Sequence, residues 1–133
     1  MGPNEKLLRQ AYADFDRGDI DALLAVMSDS IVVRAVGSPL RLDHPGEWHG
    51  IEGMKRFLNA ILANWTFPSR KVLEVIAQKD TRFVVRSAVT GVHKLTGGRA
   101  SIERADFVSM ANGKVVSYQE IFDTAPLERA SRL

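Results

Sequence analysis

Asn112-Gly113, near the end of the chain, constrains the fold more than any other dipeptide in it. A two-residue type I′ turn needs positive φ at both central positions, and Asn-Gly is the pair that tolerates this best. Ile102 to Met110 and Val115 to Phe122, on either side, are rich in β-formers, so the dipeptide joins two antiparallel strands. Alternation puts Arg104 and Asp106 on one face of the first strand, and Tyr118 and Glu120 on one face of the second. A purely structural sheet carries aliphatic side chains on its covered face. Ionisable groups there, if turned inward, line a polar-walled pocket.

Upstream, the pattern is helical. Leu7, Leu8, Ala11, Tyr12 and Phe15 form one stripe behind Asn4, a suitable N-cap. Arg17-Gly18-Asp19 breaks it, with Gly18 at C′ and Asp19 capping a second helix that carries Ile20, Leu23, Leu24 and Met27. Ile31 to Val36 reads as a strand. Gly37 to Gly50 reads as a loop with Pro39, Pro45, two histidines and Trp48, long enough to act as a lid. Ile51 to Trp65 is a third helix, with Pro68 beyond its end. Lys71 to Gln78 and Arg82 to His93 are strands joined by Lys79-Asp80-Thr81. The order α-α-β-α-β-β-β-β gives an α+β domain, residues 1–133, with three N-terminal helices packed on a curved mixed or antiparallel sheet.

Composition removes several function classes. With no cysteine there is no disulfide, thiol nucleophile or cysteine-held metal. Net charge is +2, and the pI of about 9.2 comes without any basic run, so nucleic acid is not an expected partner. No apolar stretch suits a signal peptide or a membrane span, which makes the cytoplasm the expected compartment. No glycine-rich phosphate loop opens a helix after a strand, so no nucleotide cofactor is expected. His44 and His49 flank Glu47 in the loop at a spacing that matches no familiar metal motif, so no metal is expected either.

Tyr12-x-x-Phe15-x-x-Gly18-Asp19, Met27-Ser28-Asp29-Ser30, Gly50-x-x-Gly53, Gly91-Val92-His93, Asn112-Gly113-Lys114-Val115 and Phe122-Asp123 follow one another in an order and spacing that resembles the nuclear transport factor 2-like superfamily. The chain is most similar to its SnoaL-like polyketide cyclase and steroid Δ-isomerase branch. The resemblance implies a cone-shaped barrel around a pocket for a small hydrophobic ligand. It does not carry over a complete catalytic set. Ala35 stands where steroid isomerases place their aspartate base, and Tyr12 sits one position from their oxyanion tyrosine. Ala88 replaces the aspartate of the Arg-x-Asp pair of limonene epoxide hydrolases, although Arg86 and Glu120 match the arginine and the last-strand acid.

By that similarity, Val116, Tyr118, Glu120 and Phe122 face the pocket from the last strand. Ile102, Arg104, Asp106 and Val108 do so from its neighbour, and Val84, Arg86 and Ala88 from the long strand. A one-residue slip would reverse each set. Glu120 and Asp106 are then the candidate acid and base. Arg86, Arg104 and Tyr118 orient the ligand, and Tyr12, Trp48, Phe57, Val108 and Phe122 contact it. Such a site suits proton transfer next to a carbonyl, as in an isomerase or cyclase, without metal or nucleotide. The same pocket in a non-catalytic ligand-binding protein, or an interaction module using the outer sheet face, are the competing readings. Phe107 and Ile121 on that outer face, with the family's habit of pairing sheet to sheet, imply a homodimer.

Overall fold

Asn112 and Gly113 take φ of 52° and 74°, and the hairpin closes as the dipeptide requires. The computed structural model describes residues 1–133. In chain order the elements are α1 (Pro3–Asp16), α2 (Ile20–Ala25), β1 (Met27–Ala35), β2 (Gly46–His49), α3 (Gly50–Asn64), β3 (Trp65–Gln78), β4 (Arg82–His93), β5 (Arg99–Ala111), β6 (Lys114–Ile121) and α4 (Ala125–Ala130). The strands form one open, curved sheet in the order β2-β1-β6-β5-β4-β3. All pairings are antiparallel except β1 with β6. α1, α2 and α3 pack on one face of this sheet. Leu8, Leu23, Phe57 and Leu58 from the helices meet Ile31, Val33, Val85, Val108 and Val115 from the strands in the main core. No helix is long and apolar enough to cross a membrane.

Local chemistry explains the helix boundaries. Gly18 has φ of 76°. Its N–H donates to Phe15 O while that of Asp19 donates to Asp14 O, the paired bonds of a Schellman end. Asp19 then accepts from Ala22 N as the cap of α2. The start of α1 differs from the sequence expectation. Pro3 opens the helix, and Asn4 does not cap it. The cap comes from Asp80 in the β3–β4 turn, which accepts from the backbone N–H of Asn4 and of Glu5, each at 3.0 Å.

Two elements were absent from the sequence reading. β2 forms inside the supposed loop, pairing Trp48 with Val33, and α4 follows β6. Two others change their bounds. Met27 belongs to β1, and β3 begins at Trp65, upstream of Pro68. Pro68 is tolerated there because β3 is an edge strand, and the ladder shifts between Thr66 and Ser69 around it. This longer β3 lays Trp65 and Phe67 over Gly91, where a Cβ would come within 3.2 Å of the Trp65 ring.

The faces of two strands also need correction. On β4 the buried residues are Phe83, Val85, Ser87, Val89, Gly91 and His93, so Val84, Arg86 and Ala88 do not face the helices. Arg86 instead pairs on the outer face with Glu74 at 2.8 Å and Glu103 at 2.5 Å. On β6 the register slips between Ser109 and Met110, and Val116 is the extra residue. Val115 is therefore the buried one, 1% exposed, in place of Val116.

Candidate functional site

Between the helices and the concave sheet lies a cavity of about 620 Å³, counted out to its mouth. Its walls are mostly apolar, with Phe15, Phe57, Leu58 and Phe67 prominent. Five polar side chains interrupt them: Tyr12 from α1, Arg70 from β3, Arg104 from β5, and Tyr118 and Glu120 from β6. A smaller cavity, about 400 Å³, adjoins it and holds His44, Trp65, Phe122 and Leu127. Arg104 and Glu120 line both.

The sheet register builds the polar cluster. Asp106 on β5 stands directly opposite Glu120 on β6, and Val108 opposite Tyr118. Two carboxylates so placed repel unless something lies between them. Arg104, two residues from Asp106 on the same face, supplies it. Its Nε is 3.0 Å from Asp106 Oδ1, its Nη2 donates to Asp106 Oδ2 at 3.2 Å, and its Nη1 is 3.3 Å from Glu120 Oε2. Tyr12 donates to Asp106 Oδ2 at 2.6 Å, and Tyr118 donates to Glu120 Oε2 at 3.0 Å. Asp106 is 0% exposed and Glu120 2%. The other Glu120 oxygen, Oε1, faces His44 Nε2 at 3.8 Å.

Burial sets the protonation states. It pushes the Glu120 carboxyl up, with Asp106 adding to the rise and Arg104 opposing it. It pushes both phenols up, that of Tyr12 further through the charge on Asp106, so both remain donors. It pushes His44 down to about 4, helped by Arg104, so the imidazole is neutral. Burial works against the Arg104 charge, but Tyr118, Asp106 and Glu120 outweigh it and raise the guanidinium further. The cluster thus contains one firm cation, an engaged aspartate, and a carboxyl biased toward its neutral form that opens on the cavity.

The sequence profile of the SnoaL-like domain matches residues 8–118. The chain belongs to the SnoaL-like family. No curated protein matches it at a significant level. Solved structures share the fold across nearly the whole length. An NTF2-like protein of unknown function from Burkholderia pseudomallei superposes with a TM-score of 0.87 at 21% identity, over 100% of both chains. An NTF2-like protein from Burkholderia xenovorans gives 0.80 at 24%, over 97% of this chain and 95% of the other. TerC, co-crystallised with polyporic acid, gives 0.83 at 23%, over 98% of both.

In this SnoaL-like domain the expected site residues divide. Tyr12, Phe57, Arg104, Val108, Tyr118 and Glu120 line the main cavity. Asp106 touches the cluster from behind and does not line either cavity. Phe122 lines only the smaller cavity. Arg86 reaches neither, because β4 presents its other face. Trp48 also lines neither: its ring packs against Phe57 with centroids 6.2 Å apart, and its Nε1–H donates to His44 O. The loop before β2 reaches the site through His44 instead, which is 4% exposed. His49 pairs with Glu47 on the surface. His93 is held at the end of β4, its Nδ1 accepting from Leu95 N and Thr96 N and its ring edge-on to Trp65.

Two residues of the site escaped the sequence reading. Arg70 did so because Pro68 appeared to separate it from any strand, and the β3 bulges disguise its alternation. His44 was visible as a histidine, but nothing local to it announces that the loop folds back onto Glu120.

Proposed function

We propose that this SnoaL-like domain binds a small, largely apolar molecule in the main cavity and moves a proton on it, with Glu120 as the acid–base group. The observation that carries this reading is the division of labour between the two carboxyls. Asp106 is held at Oδ2 by Tyr12 and Arg104, with Arg104 Nε 3.0 Å from Oδ1, and it does not line the cavity. Glu120 opens on both cavities, and its pKa is raised by burial toward the range where a carboxyl can both take and give a proton. The natural step is removal of a proton next to a carbonyl, or return of one to an enolate. The guanidinium of Arg104 faces the same space and would stabilise an oxyanion formed there. Asp106 positions Arg104 and Tyr12, and takes no part in the proton transfer. The co-crystal of TerC with polyporic acid supports a small organic ligand for the fold.

Ligand binding without turnover is the second reading, favoured by the engagement of Glu120 Oε2 by both Tyr118 and Arg104. One comparison separates the two. Purified protein is screened by native mass spectrometry for a retained ligand. Enolisable aryl ketones are then followed in heavy water for deuterium uptake. Proton transfer by Glu120 predicts catalysed uptake that Glu120→Gln lowers by roughly 10²–10⁴-fold, with ketone affinity little changed. Ketone binding with no catalysed uptake in the parent would leave a binding protein. We also propose that two copies pair through the outer face of the sheet.

A further inference from the structure

Arg70 is the one charged group lining the main cavity that makes no hydrogen bond or ion pair with the acid–base cluster. Its side chain is 4% exposed, yet the only carboxylate within 4 Å of it, that of Asp16, lies at the rim with 41% of its side chain exposed. Arg70 Nε comes within 2.9 Å of Asp16 Oδ1, but out of line for a hydrogen bond. Neither Nε nor Nη1 has a hydrogen-bond partner. The guanidinium carbon stands over the Phe15 ring, 5.3 Å from its centroid. A buried guanidinium with unfilled donors is expensive to maintain unless something fills them. A rim carboxylate in contact with solvent is a weak counter-charge for it.

We infer that Arg70 is the anion-recognition residue of the cavity, and that the molecule bound there is an organic anion with an apolar body, most simply a carboxylate. This rests on the reading of the main cavity as the ligand site and names the class of ligand. The planar fork of a guanidinium matches a carboxylate better than any other common group. Phe15, Phe57 and Phe67 offer faces for the apolar body. The rest of the cluster tolerates the added charge. Arg104 and Arg70 line the cavity as two cations, whereas Asp106 is spent on Arg104 and Glu120 is biased toward its neutral form. A ligand anion at Arg70 restores the balance.

The test uses naphthoate and naphthamide, which share a ring system and differ in charge, with affinities for the full chain measured by calorimetry near neutral pH. The parent should bind naphthoate about tenfold or more tightly than naphthamide, the worth of one charge-assisted hydrogen-bonded pair. Arg70→Met should abolish that preference, and Arg70→Lys should keep part of it. Asp16→Asn, which removes the competing carboxylate, should hold or raise naphthoate affinity. If Arg70 serves only as half of an ion pair, Arg70→Met and Asp16→Asn will lower the melting temperature alike and leave the ratio of the two affinities at the parental value. That result overturns the inference. Should Arg70→Met fail to fold, the ratios for Arg70→Lys and Asp16→Asn decide in the same way. Equal binding of both probes by the parent overturns the anion assignment alone and leaves the cavity as a ligand site. Binding of neither overturns both.

Discussion

His44 and Glu120 face each other at 3.8 Å and titrate with opposite consequences for stability. His44 has its pKa lowered to about 4, so the unfolded chain takes up that proton first as the pH falls. Its contribution is complete above about pH 6.5 and is lost on acidification toward 4, a loss on the order of 3 kcal/mol for a shift of this size. Glu120 has its pKa raised, so its native carboxyl holds a proton that the unfolded chain has already released. Its contribution is complete below the ordinary carboxyl range and is lost as the pH rises through the native value. In the parent the two slopes partly cancel. Glu120→Gln should therefore make acid destabilisation between pH 6.5 and 4 steeper. His44→Phe, which keeps the edge contact with Phe57, should make stability rise on acidification instead. Denaturant midpoints measured across that range check both, and unchanged slopes in either variant would mean that the pair does not titrate as described. Arg104 is the structural keystone of the same cluster. Arg104→Met leaves two opposed buried carboxyls without their shared cation and should cost about 3–5 kcal/mol, read as a fall in the denaturant midpoint.

Elements are fixed by residues that lie far from them in the chain, and this marks the limit of what the sequence made legible. The Gly18 end of α1 and the Asp19 cap of α2 could be read directly, because every group involved lies within a few positions. The Asn112-Gly113 hairpin was legible for the same reason. The cap of α1 was not, since its acceptor is Asp80, on the turn between β3 and β4. Asp80→Ala should accordingly destabilise the domain by about 1–2 kcal/mol although it changes a turn and not the helix. Hydrogen exchange should report the loss in the first turn of α1. If protection there is unchanged, the cap carries no weight. The face of β4 was misjudged for a different reason. Phe83, Val84 and Val85 are all apolar, so alternation alone leaves the inner face open, and the likeness of Arg86 to a family arginine tipped it outward-in. The plainer signal was at the polar end: Arg86 and Thr90 alternate with Val85, Ser87 and Val89, and the charged set belongs outside. The β5 face, and the β6 face from Tyr118 onward, were legible because Asp-x-Val on one strand and Tyr-x-Glu on the other alternate with residues of unlike character. Which pairs meet was not legible from the turn, because the bulge at Val116 shifts the register by one between the turn and the Asp106–Glu120 pair.

At the scale of the whole molecule, the sheet has two faces of different character. The concave one holds the cavity. The outer one carries an apolar row that crosses three strands, since Ile76 pairs with Val84 and Val84 with Phe107, and the row ends at Gln119 on β6. Ile76 is 57% exposed, Phe107 45%, and Ile121 in the neighbouring row 43%. Arg86, held by Glu74 and Glu103, borders the row and gives the face a polar rim. Isolated apolar side chains on a surface need no partner, but a contiguous row flanked by charge has the layout of an interface. Antiparallel strands bring residues from both sides of such a row close to a two-fold axis. A second copy can then cover the row with the same residues. The protein should sediment as a dimer of the 14.7 kDa chain at micromolar concentration. Phe107→Glu places two like charges at the centre of that contact and should yield a monomer whose far-ultraviolet circular dichroism is unchanged. Its naphthamide affinity should also match the parent, because Phe107 does not line the main cavity. A parent that sediments as a monomer would refute the pairing. A Phe107→Glu variant that stays dimeric would place the contact elsewhere on the domain.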